Sequence, residues 1–328
     1  MVYNIYHPIL QPPEGIGVER LILDCDPGHD DAIAILMAGL DEKLELLGIT
    51  TVAGNSYLEN TTMNALKVVE MAGLDVDVYA GCARPLLRDQ IVAPEIHGST
   101  GLEGAKLPTP KRQAEEKHAV DFIAEMVKAY PGEINLVATG PLTNVALFII
   151  RYPDLVEKLK RIVMMAGGIA FGNVTPVAEF NVYADPEAAN VVLRSSVEKV
   201  MAPLDVTHQA IMAAEEIERL RKTGSHILQT LADLLDFFRS TYLDLFDIDG
   251  AVLHDPCAVM YLIDPTIFEC EDLYVEVELD GNLTYGQTVA DIWKTMKMKP
   301  NVRVLKRIDR KAFFDRLFED LEKLAVRK

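Results

Sequence analysis

The sequence predicts an α/β fold: a single domain with a mostly parallel, mixed central sheet flanked by helices. Short apolar runs alternate with longer stretches of helical periodicity, the pattern of repeated strand-helix-strand units. No Gly/Ser linker and no internal repeat divides the 328 residues, so they are read as one unit, 1–328, with residues 1–18 as a polar, Pro-rich lead.

The elements follow in order. Strands are expected at Leu21–Leu23, Leu46–Val52, Val76–Tyr79, Ile134–Ala138, Ile162–Met165 and Val200–Ala202, where brief apolar runs end in turn-forming or polar residues. Helices are expected between them at Asp31–Leu40, Leu58–Met71, Ala119–Ala129, Thr143–Ile150 and Pro186–Leu193. The stretch Ile91–Pro110, rich in Gly, Pro and Thr, reads as a surface loop that carries His97. Residues Ala213–Leu253 read as helices on one side of the sheet, with Tyr242 and Phe246 one helical turn apart, a spacing that suits core packing. Leu273–Leu279 reads as one later strand and Lys311–Val326 as an amphipathic terminal helix.

Composition narrows the partners. Nearly half the residues are apolar, as in a globular protein, and the formal net charge is −18. That charge argues against nucleic acid or an anionic membrane as a partner, while leaving room for a small neutral substrate or a bound cation. Cys25, Cys82, Cys257 and Cys270 are scattered, without the close pairing of a zinc site. With no signal-peptide pattern and no apolar stretch of membrane-spanning length, they suggest a cytoplasmic setting.

The segment richest in chemistry is Leu21-Ile22-Leu23-Asp24-Cys25-Asp26-Pro27-Gly28-His29-Asp30-Asp31. A buried strand delivers four carboxylates to a Pro-Gly turn and the start of a helix. Such a cluster raises its own pKa values unless something positive sits within it, and a hard cation such as Ca²⁺ or Mg²⁺ takes oxygen ligands. The plainer reading is an Asp-Pro-Gly turn with Asp30 and Asp31 favouring a helix N-terminus, but Asp24 falls inside the apolar run, where an unpaired carboxylate is costly. Three further polar segments stand at element boundaries: Thr139-Gly140-Pro141-Leu142-Thr143-Asn144, Ala166 to Asn181, and His254-Asp255-Pro256-Cys257. Asn173, Glu179 and Asn181 suit sugar hydroxyls. Asp255 either caps the helix after it or closes a metal site from afar.

Together these segments resemble the nucleoside hydrolase family, the inosine-uridine-preferring N-ribohydrolases. The resemblance rests on Asp24-Cys25-Asp26-Pro27-Gly28-x-Asp30-Asp31, on Gly172-Asn173-Val174-Thr175-Pro176-Val177-Ala178-Glu179-Phe180-Asn181 and on His254-Asp255-Pro256. It implies a Rossmann-like sheet, Ca²⁺ as cofactor and a small-molecule ribonucleoside as substrate, split into free base and ribose. It implies that Asp26, Asp31, the Thr139 carbonyl and Asp255 ligate the metal, with Asp26 also the general base and Asp24 orienting its neighbours. By the same resemblance Asp30, Asn55 and Asn181 hold the 2′ and 3′ hydroxyls, and Asn173, Glu179 and the backbone near Met165 the 5′ hydroxyl. Phe180 and His97 complete the substrate pocket. His254, helped by Tyr242, would assist the leaving base. The family also suggests a homotetramer or homodimer. His254, and the lack of a Trp-rich pocket, lean towards broad inosine/uridine or pyrimidine substrates.

Two other readings compete. Asp-x-Asp after a buried strand also begins haloacid-dehalogenase-like phosphatases, but Pro27-Gly28 replaces their usual Thr or Val and no basic residue stands nearby for phosphate. A nucleoside-binding module without catalysis would be expected to have lost some of these residues, yet Asp26, Asp31, Thr139, Asn181 and Asp255 are all in place.

Overall fold

A computed structural model describes residues 17–326; the lead expected over residues 1–18 lies, as far as residue 16, outside the described residues. The strands are Glu19–Cys25 (β1), Leu44–Thr51 (β2), Val78–Ala80 (β3), Ile134–Ala138 (β4), Arg161–Met165 (β5), Lys199–Ala202 (β6), Ile211–Met212 (β7), Ala251–Val252 (β8), Phe268–Leu273 (β9), Val275–Val277 (β10), Thr288–Ala290 (β11) and Val302–Ile308 (β12). Eight of them form the central sheet in the order β3-β2-β1-β4-β5-β6-β12-β9. Every neighbouring pair is parallel except β12 and β9. The carboxyl ends of β1, β2, β4 and β5 therefore share one edge of the sheet. Strand order reverses between β1 and β4, and that switch point is where open α/β sheets bind ligands.

Two apolar clusters cover the two faces of the sheet. Helix His29–Leu40 lies deepest, with every residue but Gly39 buried. It is apolar all round because it packs on the sheet, on helix Leu58–Ala72 and on helices Pro256–Ile263 and Arg310–Glu322. Burying each large side chain of this helix favours folding by roughly 1.5–3 kcal/mol, enough to hold the acidic first turn of the helix in the interior.

The expected single α/β domain is present, and the expected strands and helices fall on observed ones within a few residues. Several expectations need correction. Leu273–Leu279 is not one strand: β9 leaves the large sheet at Leu273, and β10 pairs with β11 in a separate ribbon. Asn301 makes the break, accepting a hydrogen bond from the Val275 N–H and donating one to the Val275 carbonyl. Strand β12 carries Arg303, Lys306 and Arg307, charges that hide it from an apolar pattern. Within Ala213–Leu253 the helices are Ala214–Lys222 and His226–Phe246, and the segment ends in β8, paired antiparallel with β7. Ile91–Pro110 is no simple surface loop: Ala93, His97 and Leu102 are buried and Pro94–His97 is a short helix. The terminal helix runs Arg310–Glu322 and finishes as a 3₁₀ turn, Lys323–Val326. Among the described residues no helix is long and apolar enough to cross a membrane.

Candidate active site

The acidic segment sits at the shared strand edge. Asp24, still within β1, is fully buried; its Oδ1 accepts from Thr50 Oγ1 at 2.5 Å and Asn144 Nδ2 at 2.8 Å. Asp26 follows the strand, and its Oδ2 accepts from the Asn55 N–H at 2.6 Å. The chain then turns tightly. Gly28 is required there by close approach, since a Cβ would stand 2.6 Å from His97 Nδ1. Asp31, three residues on, accepts the Gly28 N–H at 2.9 Å through Oδ2, and its Oδ1 accepts from Thr139 Oγ1 at 2.8 Å. Asp30 accepts the backbone N–H groups of His254 and Asp255 at 3.2 and 3.4 Å, tying β1's turn to a segment more than two hundred residues away.

Carboxylate oxygens of Asp30, Asp31 and Asp255 all lie within 4.8 Å of one another, and all three residues are buried. Asp26 is outside that triple, although its charge acts on Asp255. The grouping thus includes Asp30, which the family resemblance assigns to ribose, alongside two of the expected metal ligands. Burial, reinforced by the adjacent Asp31, pushes the Asp30 carboxyl up to about 7; burial and the same neighbours push Asp26 and Asp255 well above the carboxylate range. Carboxylates in this situation hold either protons or a cation. The donor set fits a hard cation: every candidate atom is an oxygen, and Asp26 Oδ1 is buried without a hydrogen-bond partner among the described residues. The Thr139 carbonyl accepts from Asn181 Nδ2 at 2.8 Å and retains a second lone pair.

Above the carboxylates lies a cavity of about 280 Å³, lined among others by Asp30, Asn55, Thr139, Asn181, His254 and Asp255. Asn55 Nδ2 donates to the Asp26 carbonyl and to Asp31 Oδ2. Asn181 Nδ2 bridges the carbonyls of Thr139 and Met165, linking the ends of β4 and β5. Glu179 caps helix Phe180–Ala184, its carboxylate accepting the N–H groups of Gly167, Asn181 and Val182, and Asn173 Oδ1 accepts the Phe180 N–H. Met165, Asn173, Glu179 and Phe180 all reach the cavity wall.

On the opposite wall His254 is held by both ring nitrogens, Nδ1 to Thr207 Oγ1 at 2.7 Å and Nε2 to the Tyr242 hydroxyl at 2.6 Å. Burial drives the His254 pKa well below its ordinary value and the Tyr242 pKa well above, so both are neutral. His97 and Tyr242 line the same cavity, and Phe246 and Leu245 stand half-exposed beside it. Tyr242 belongs to the apolar core and packs on Phe246, as that spacing suggests, and both also line the cavity, because helix His226–Phe246 ends there.

The family described as "Inosine-uridine preferring nucleoside hydrolase" matches residues 21–315. The chain belongs to the nucleoside hydrolase family. It is accordingly an enzyme that hydrolyses N-glycosyl bonds. The pyrimidine-specific ribonucleoside hydrolase RihA of Citrobacter koseri is 44% identical over 303 residues, covering 92% of this chain and 97% of that one. The RihA of Salmonella typhimurium is 43% identical over 92% of this chain and 98% of its own length. Among solved structures, the purine-preferring ribonucleoside hydrolase from Gardnerella vaginalis superposes with a TM-score of 0.89 at 33% identity, covering 94% of this chain and 99% of that one.

Of the fourteen residues expected at the site, twelve line the cavity; Asp31 groups with Asp30 and Asp255 of that lining, and Asp26 is bonded to Asn55 there. Sequence reasoning missed others. Asn144 and Thr50 satisfy Asp24, and Asn144 was visible as a polar residue in the Thr139–Asn144 segment. Thr207, Phe238 and His29 carried no local signal, since each becomes part of the site only through packing.

Proposed function

We propose that this chain hydrolyses ribonucleosides to free base and ribose, pyrimidine nucleosides foremost, with Ca²⁺ held by Asp26, Asp31, Asp255 and the Thr139 carbonyl. The observation that carries this reading is the buried carboxylate set on the cavity floor, whose raised pKa values and unpartnered Asp26 oxygen call for a cation. Bound there, Ca²⁺ would supply a polarised water and an anchor for ribose hydroxyls. Asp26 takes the proton of the attacking water. Asp30, Asn55 and Asn181 face the 2′ and 3′ hydroxyls, while Asn173 and Glu179 face the 5′ hydroxyl. As the N-glycosidic bond lengthens, positive charge builds on the ribose, and the surrounding carboxylates and amide oxygens favour that charge more than the neutral substrate.

The leaving base is served by the Tyr242–His254–Thr207 chain. Both nitrogens of His254 are engaged, so His254 acts through the Tyr242 hydroxyl, which lines the cavity beside it. This refines the expected order, in which His254 led and Tyr242 helped. Pyrimidine preference is supported by the 44% identity to a pyrimidine-specific relative. It also accords with the single Trp, Trp293, being 87% exposed and absent from the cavity lining. We place the enzyme in the cytoplasm, where its four free cysteines would stay reduced, and expect it to act as a homodimer or homotetramer.

The test is release of reducing ribose from uridine, cytidine, inosine and adenosine, with Ca²⁺ and after exhaustive chelation. Ca²⁺-dependent ribose, highest from uridine and cytidine, is the expected outcome. No ribose from any of them, with Ca²⁺ demonstrably bound, would leave a nucleoside-binding module in place of the enzyme.

A further inference from the structure

His29 has no part in the proposed chemistry, yet it is buried at the first position of helix His29–Leu40 and stacked among three rings. Ring centroids lie 5.3 Å away for His97, 5.3 Å for Phe237 and 5.2 Å for Phe238, with interplanar angles of 17° or less. Its two nitrogens are spoken for. Nε2 lies 2.7 Å from the Glu103 carbonyl, and Nδ1 lies 3.1 Å from His97 Nδ1.

Counting hydrogens along this chain decides the tautomers. A carbonyl only accepts, so His29 Nε2 carries the proton. A second proton on His29 would place a cation at zero exposure among aromatic rings, and the Glu103 carboxylate is turned away to the Ser99 N–H and hydroxyl. His29 Nδ1 is thus a bare acceptor, and the hydrogen shared with His97 belongs to His97 Nδ1. That leaves His97 Nε2 as a lone pair. No protein group takes it among the described residues, and His97 lines the cavity next to Tyr242 and Phe238.

The ring cannot easily turn to change this. It abuts Gly28 on one side, where even a Cβ would collide, and stacks on Phe238 at 5.4 Å on another. The supporting carbonyl is fixed too. Glu103 N–H bonds the His97 carbonyl at 3.2 Å, and Gly104 follows at φ +112, a conformation open to glycine, with Phe237 against its Cα.

We propose that His29 is a positioning residue that locks His97 as the Nδ1–H tautomer, so that His97 Nε2 meets the base as an acceptor and selects bases bearing an N–H on that edge, such as the N3–H of uracil. This rests on reading the cavity as a nucleoside site. His29 then contributes to specificity without touching substrate.

The experiment has two arms. In protein labelled with ¹⁵N-histidine, two-bond ¹H–¹⁵N correlation reads the His97 tautomer directly, with His97→Gln identifying its signals. Wild type should show protonated Nδ1 and bare Nε2, and His29→Phe, which keeps the stack but removes the acceptor, should shift His97 towards Nε2–H. In parallel, kcat/KM is measured for uridine and for 3-methyluridine, in which a methyl group replaces the N3 hydrogen. The uridine preference should fall roughly three- to tenfold in His29→Phe, the worth of one neutral hydrogen bond, and comparing the two enzymes cancels the intrinsic reactivity of the bases. An Nε2–H tautomer in wild type, or an unchanged preference in folded His29→Phe, overturns the proposal. Absence of ribose from every nucleoside would instead overturn the functional reading, and the tautomer spectrum would still decide the role of His29.

Discussion

Replacing Gly54 by alanine offers the sharpest test of how Asp26 is held. A Cβ at position 54 would stand 2.0 Å from Asp26 Oδ2 and 2.6 Å from Pro141 Cδ, where real Cβ contacts essentially never fall below 3.0 Å. The backbone there is outside the left-handed region, so alanine is excluded by this contact and not by conformation. The carboxylate must withdraw by about 1 Å, and withdrawal breaks the 2.6 Å bond from the Asn55 N–H. Retreat is also cramped on the far side, where Gly140 packs so closely that its own Cβ would reach within 2.6 Å of Asp26 Oδ1. A displacement of about 1 Å in a reacting group costs on the order of 10²-fold, so kcat/KM on uridine should drop by ~10². The assay is steady-state ribose release at saturating Ca²⁺, with thermal unfolding as proof of a native fold. A folded Gly54→Ala variant within about threefold of wild type would refute the claim that this glycine sets the position of the general base.

Two other outcomes follow from the same site. Tyr242→Phe and His254→Ala should each lower kcat on uridine by ~10²-fold or more, and the double variant should be little worse than the more damaged single one, since the pair acts as a unit. On p-nitrophenyl riboside, whose leaving group needs no proton, the losses should be much smaller; equal losses on both substrates would remove the pair from leaving-group duty. The pH dependence of stability has a definite sign. The Asp30 carboxyl is raised by burial and by Asp31 from 3.8 to about 7, so without cation the folded state binds more protons than the unfolded state between those values. Chelated protein should therefore lose stability as pH rises through that window, and Ca²⁺, competing with protons, should raise Tm more at about pH 7.5 than at about pH 5. Equal gains at both pH values, read by calorimetry, would show that the carboxylates are not the cation site.

Local pattern made the strand-helix alternation legible, because burial on a sheet face or a helix stripe leaves a period in the chain itself. It also made Asp24 to Asp31 conspicuous, since a carboxylate inside an apolar run is costly without a partner. Where the pattern failed, the cause was nonlocal. The alternation Leu273, Val275, Val277 and Leu279 runs on unbroken, while the strand changes sheet because Asn301 takes the Val275 backbone groups. His97 looks like part of a loop until Gly28, His29 and Phe238 enclose it.

The sequence by itself determined the α/β class, the family and the kinds of atom the site would offer, because these depend on residue type and short-range period. Only the tertiary structure decided that Asp255 joins Asp30 and Asp31, that Thr207 and Tyr242 both grip His254, and that His29 Nδ1 meets His97 Nδ1. Those are relations between strand ends and helix ends far apart in the chain, and a hydrogen bond acquires its direction only when both partners have been brought within reach.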